Sequence, residues 1–214
     1  MKTCMIRCGV RLALVACVAL TFVTQATASP LPVGGTALAV GEPDPIGGVI
    51  INVPAPMPFA SPSFTGTLTT TVIAGDATNP FGGLTFTYLL TNDQKSPDAI
   101  DRLTINSFAG FLTDVSFQIP AAGQAPTLQD RSLGAGDVVG FSFIGAPLGL
   151  GTILPGQSSA LLVIQTNAPT FQPTIAAVID GNVATVPTFG PAPEPATLTL
   201  LALGALGLIR RKRA

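Results

Sequence analysis

Residues 84–91 alternate cleanly. Leu84, Phe86, Tyr88 and Leu90 fall on one side of an extended chain, with Thr85 and Thr87 opposite. A period of two predicts a strand with one face turned inward. The same period recurs at Val115, Phe117 and Ile119, where Pro120 ends it, and at Val139, Phe141 and Phe143. Residues 64–74 are rich in Thr and other β-branched side chains, a composition that packs well on a pleated surface. Residues 100–108 read as a further strand. Residues 161–164, Leu-Leu-Val-Ile, are apolar on both faces, which predicts a central strand within 158–166. Residues 174–179 and 182–186 flank Asp180-Gly181, a pair suited to a tight hairpin turn. Gly75-Asp76, Asn79-Pro80, Gly82-Gly83, the polar run 92–98 and the Gly/Pro-spaced run 145–156 separate these elements. The pattern predicts about seven to nine short strands and no long helix, the signature of an antiparallel β-sandwich.

The two ends follow other rules. Lys2, Arg7 and Arg11 precede an apolar run, and Ala26 and Ala28 form an Ala-x-Ala site before Ser29. This predicts a signal peptide over residues 1–28, cleaved after Ala28. Residues 14–17 are a weak rival, a lipobox-like match whose apolar run is very short. Residues 29–61 are a Pro/Gly-rich leader with one apolar run, residues 49–53, that reads as an edge strand stopped by Pro54. The β-sandwich domain is expected over residues 62–188. Residues 189–214 then form a tail of three parts: a Pro-rich stalk, fourteen uncharged apolar residues (196–209), and the basic block Arg210, Arg211, Lys212 and Arg213. Pro favours extended backbone in the stalk. A helix over the apolar run would be about 21 Å long, short of the ~30 Å hydrocarbon core, so it predicts a marginal transmembrane anchor. The basic end keeps that terminus on the cytoplasmic side and the body outside.

Composition sharpens this picture. The mean hydropathy of +0.56 is inflated by the two ends, and the net charge of −1 conceals an acidic body. Seven of the ten cations lie in the end segments, leaving Lys95, Arg102 and Arg131 against ten acids over residues 29–193. An acidic body argues against nucleic-acid binding. There is no His, and all three Cys (Cys4, Cys8, Cys17) fall within residues 1–28. Ser-His-Asp and Cys-His catalysis, thiolate sites and disulfides are therefore excluded from the body. Carboxylate chemistry remains. Asp93, Asp98 and Asp101 are the weak Ca²⁺ candidates, through oxygen ligands, although Lys95 interrupts them and the spacing is not that of an EF-hand. A pair of Asp residues could serve a hydrolase only if a cleft brought them together. Asp101 beside Arg102 could form an ion pair. Tyr88 shares the inward face of Leu84 and Phe86, so it reads as core and not as a sugar platform. No catalytic residue, cofactor or metal site is assigned, and the body reads as non-enzymatic.

Pro193, Glu194 and Pro195, then the apolar run, then the basic terminus, resemble the PEP-CTERM sorting signal of Gram-negative bacteria that make exopolysaccharide. The resemblance covers about the last two dozen residues. It implies recognition by exosortase, transient anchoring in the inner membrane, removal of the tail, and delivery to the cell surface or extracellular matrix. LTFTYLLTND, DAIDRLTINSFAGFLTDVSF and PGQSSALLVIQTNAP also resemble the middle of other exported PEP-CTERM proteins and immunoglobulin-like surface repeats, over about residues 83–190. That resemblance implies an immunoglobulin-like sandwich and carries no activity. The expectation is a structural or adhesive envelope protein that could contact exopolysaccharide. The alternatives are a carbohydrate- or calcium-binding surface module and, behind it, an Asp-based hydrolase.

Overall fold

The computed structural model describes residues 30–145 and 151–193, and these are all strand, turn and loop. In chain order the strands are β1 (Thr36–Leu38), β2 (Gly41–Glu42), β3 (Val49–Asn52), β4 (Met57–Ala60), β5 (Thr65–Ala74), β6 (Thr85–Asn92), β7 (Arg102–Ile105), β8 (Thr113–Gln118), β9 (Leu128–Arg131), β10 (Val139–Ser142), β11 (Leu162–Thr166), β12 (Phe171–Asp180) and β13 (Asn182–Pro191). The predicted signal peptide, Glu194, Pro195, the apolar run and the basic block lie outside the described residues. Among the described residues no helix is long and apolar enough to cross a membrane.

The strands form two sheets. One has the order β1-β9-β10-β7-β12-β13; the other runs β2-β8-β11-β6-β5-β3, with β4 also paired to β5. Every pairing between strands is antiparallel except β2 with β8. The inward residues of both sheets share one core. Leu68, Val72, Phe86, Tyr88, Leu90, Val115, Leu162 and Ile164 meet Leu103, Ile105, Val139, Phe141, Ala176, Val178 and Val186. This is a β-sandwich, and the period of two is what builds it: the alternating side chains fill the space between the layers. Polar ties cross the core at one end. Thr70 on β5 bonds Thr188 on β13 at 2.6 Å, and the Tyr88 hydroxyl donates to the Phe189 carbonyl at 2.8 Å.

The expected edge strand at residues 49–53 is β3, at the rim of its sheet. The same stretch of chain also supplies β1, β2 and β4, so residues 30–61 contribute strands to both sheets. Residue 46 then reaches across to the loop after β5. Ile46 N–H donates to Asp76, and Ala77 N–H donates back to the Ile46 carbonyl. Asp76 also accepts from Thr78, Thr85 and Gln165, so this carboxylate fastens the leader to the outer face of β6 and β11. Burial alone would raise its pKa, but the bonds from Thr78, Thr85 and Ile46 outweigh burial and hold it below the usual range.

Arg102 does not pair with its neighbour Asp101. It forks onto Asp130 at 2.6 and 2.7 Å, reaching from β7 across β10 to β9. Gly140 on β10 makes this crossing feasible, because a Cβ there would sit 2.3 Å from the guanidinium.

Candidate functional site

Of the acids predicted from sequence, Asp98 and Asp101 lie near the end of β12, while the Asp93 N–H donates to the Thr65 carbonyl at the start of β5. Asp93 and Asp98 are exposed, and Asp101 is half-buried at the mouth of β7. Burial and then the charges of Asp101 and Asp98 push Asp180 up to about 6. The neighbour of Asp98 and Asp101 is thus Asp180, the turn residue of the terminal hairpin. Among the described residues no trio of His, Cys, Asp and Glu is arranged to hold a metal ion.

A different set of acids converges elsewhere, from residues far apart in sequence. Glu42 on β2 and Asp114 on β8 line a cavity of about 240 Å³, together with Pro30, Leu31, Val40, Val115 and Gln129. Burial, then the charges of Asp114 and Asp44, raise Glu42 to about 7. Burial and Asp44 raise Asp114 to about 6 against a bond from the Val115 N–H. Asp44 is only 1% exposed, and burial raises it too, opposed by the Ser116 hydroxyl at 2.9 Å. Three carboxyls crowd one patch, and each makes its neighbours harder to ionise.

Two buried acceptors here have no partner among the described residues: Asp44 Oδ1 and Gln129 Oε1. Gln129 is 4% exposed and lines the cavity. An unpaired buried acceptor costs about 1–3 kcal/mol, so its presence asks for a donor. The nearby cation does not provide one. Arg131, 6% exposed on β9, spends its donors on the carbonyls of Gly136, Phe108, Phe111 and Leu31 and on the Thr113 hydroxyl. The sequence held no spacing signal for this patch. Its members come from the leader, β8 and β9, and only the pairing of the leader onto β8 brings them together.

The tail leaves the fold at the opposite kind of place. β13 is the rim strand of its sheet and pairs with β12 over ten positions, from Asp180↔Asn182 to Phe171↔Pro191. Phe171 and Phe189 pack edge-to-face near its end, and Ala192 N–H still donates to the Thr170 carbonyl. Pro193 follows, exposed. Residues 191–213, beginning on the last residue of β13, match a known family signature. It is the PEP-CTERM protein-sorting motif. The PEP-CTERM tail is therefore continuous with the terminal hairpin, and of its tripeptide Pro193 alone falls within the described residues. No curated protein and no solved structure matches the chain.

Proposed function

We propose that this is an exported cell-envelope protein whose PEP-CTERM tail is read and removed by exosortase. The body, an immunoglobulin-like β-sandwich without catalysis, then serves a structural or adhesive role at the surface or in the exopolysaccharide matrix. The observation that carries the reading is the sorting motif over residues 191–213, continuous with β13. The two facing, mainly antiparallel sheets support the immunoglobulin-like comparison. Signal-peptide cleavage after Ala28 and transient anchoring in the inner membrane through residues 196–209 belong to the same reading. Intact mass of the protein from its native host, with and without exosortase, tests it. The expected product lacks residues 1–28 and the tail beyond about Pro195, and appears only when the enzyme is present. Retention of residues 196–214 in both strains would make the tail a permanent anchor.

A second reading, a surface module that binds a sugar or a cation, is favoured by one feature. Glu42 and Asp114 share a cavity with the unpartnered Gln129 oxygen. The calcium form of this reading, at Asp93, Asp98 and Asp101, has no such feature behind it, since these acids are not arranged as a metal-holding trio; the melting temperature in Ca²⁺ against EDTA tests it.

A further inference from the structure

The acidic cavity lies beside the first described residue, and the register along β8 says what belongs there. Pro30 bridges Asp114 in the antiparallel sense, and Leu31 N–H donates to the Thr113 carbonyl at 2.9 Å. Beyond Asp114, no described residue pairs with this edge of β8 at Val115 or Ser116. The next position is taken: Phe117 N–H donates to the Val40 carbonyl at 3.0 Å, and Gly41 pairs with Phe117. Among the described residues this edge of β8 is therefore open over Val115 and Ser116. Cleavage after Ala28 would create a new amino terminus one residue before Pro30, which lines the cavity.

We propose that the cavity is the seat of the mature amino terminus: the α-ammonium of Ser29, freed by cleavage after Ala28, takes Glu42 and Asp114 as counter-charges and Gln129 Oε1 as an acceptor. The inference rests on the signal-peptide reading above for the position of the cut. The chemistry matches on each side. An ammonium brings three donors and one positive charge. The cavity brings acceptors, two of them ionisable, and among the described residues no trio suited to a metal. The distance matches as well, since residue 29 lies one Cα step, about 3.8 Å, from Pro30, which lines the cavity. The cut then does more than release the protein. It creates the cation that the fold is short of.

The charged groups around the seat are Glu42 on β2, Asp44 after it, Asp114 on β8, Asp76 after β5 and Arg131 on β9. Without an ammonium, Glu42 (4.5 when unperturbed, about 7 here) and Asp114 (3.8, about 6 here) bind protons more tightly folded than unfolded. Their contribution is then complete below about pH 4 and is lost as pH rises towards 7. With the ammonium present both carboxyls ionise at lower pH, and the stabilisation lasts until pH passes the raised pKa of the amine.

Two proteins separate the cases, both running to Ala214 in detergent: one begins at Ser29, the other keeps the extension from Gln25. Competitive acylation of the amino terminus against pH should give the Ser29 amine a pKa at least about one unit above the usual 7.7–8.0. Glu42→Gln with Asp114→Asn should return it to that range. Between pH 5 and pH 8 the extended protein should lose at least about 3 °C more in Tm than the Ser29 protein. An ordinary amine pKa in a folded Ser29 protein, or the same Tm profile in both proteins, would overturn the proposal. So would an equal stabilisation of both by glucosamine or Ca²⁺, because the seat would then be open to outside ligands. Sequencing the native amino terminus is a separate arm. A start other than Ser29 removes the cleavage assignment, while the amine pKa still reports on the cavity itself.

Discussion

The chain comes into the sandwich and leaves it by contrasting devices. At the incoming end the bridge of Pro30 to Asp114 and the bonds of Leu31 to Thr113 hold the chain beside a cavity with crowded carboxyls and an unpartnered amide oxygen. At the outgoing end ten paired positions, an aromatic pair and two ties across the core secure β13 before the PEP-CTERM tail begins. Electrostatics governs the first end; packing and the backbone ladder govern the second. The difference fits the two kinds of processing proposed above. A terminus made by a cut can contribute its new charge to the fold. A terminus that is itself to be cut leaves the fold at Pro193, which is exposed.

The comparison predicts different sensitivities. Arg131→Met should be the most damaging single change at the incoming end, because it strips the buried carbonyls of Phe108, Phe111 and Gly136 of their donor. A loss of about 3–5 kcal/mol is expected in chemical denaturation. Little loss would mean that the carbonyls of Phe108, Phe111 and Gly136 do not depend on Arg131 for a donor. Phe189→Ala should cost about 2 kcal/mol, since Phe189 packs only partly against the core. Hydrogen exchange should then show β13 opening ahead of β7 and β10; global opening instead would deny the hairpin any independence. Tyr88→Phe removes one bond to the Phe189 carbonyl and should cost about 1 kcal/mol. Gly140→Ala, between the two ends on β10, is the mildest. It should displace the fork between Arg102 and Asp130, which are both partly exposed, and cost about 0.5 kcal/mol, read as a small fall in the denaturation midpoint.

Much of the central core and of the outgoing hairpin was legible in the sequence. The alternation from Leu84 to Leu90 marked an inward face, and Tyr88 is buried in the core as expected. The apolar run at 161–164 marked β11, which lies between β8 and β6. Asp180-Gly181 marked the hairpin, where Gly181 has a φ of 61°, although β13 runs on to Pro191 instead of stopping near Val186. Much of the incoming end was not legible. β1 and β2 are two or three residues long, too short for a period to show. β9 reads Leu-Gln-Asp-Arg and turns Gln129 and Arg131 inward while Leu128 lies partly exposed, which inverts the usual pattern. Its polar side chains are buried because they have carbonyls or a cavity to face. The crowding of Glu42, Asp44 and Asp114 has no local sign, because it depends on the parallel pairing of β2 with β8.

The ladder between β12 and β13 also has a mechanical meaning. With the tail anchored as proposed, drag on the body would pass through Pro193 into a rim strand. A pull along β13 loads its ten pairs together, in shear. A pull across the sheet would open them one at a time, like a zip. Because Pro193 continues from the end of β13, a pull directed along that strand is the one its hairpin resists best.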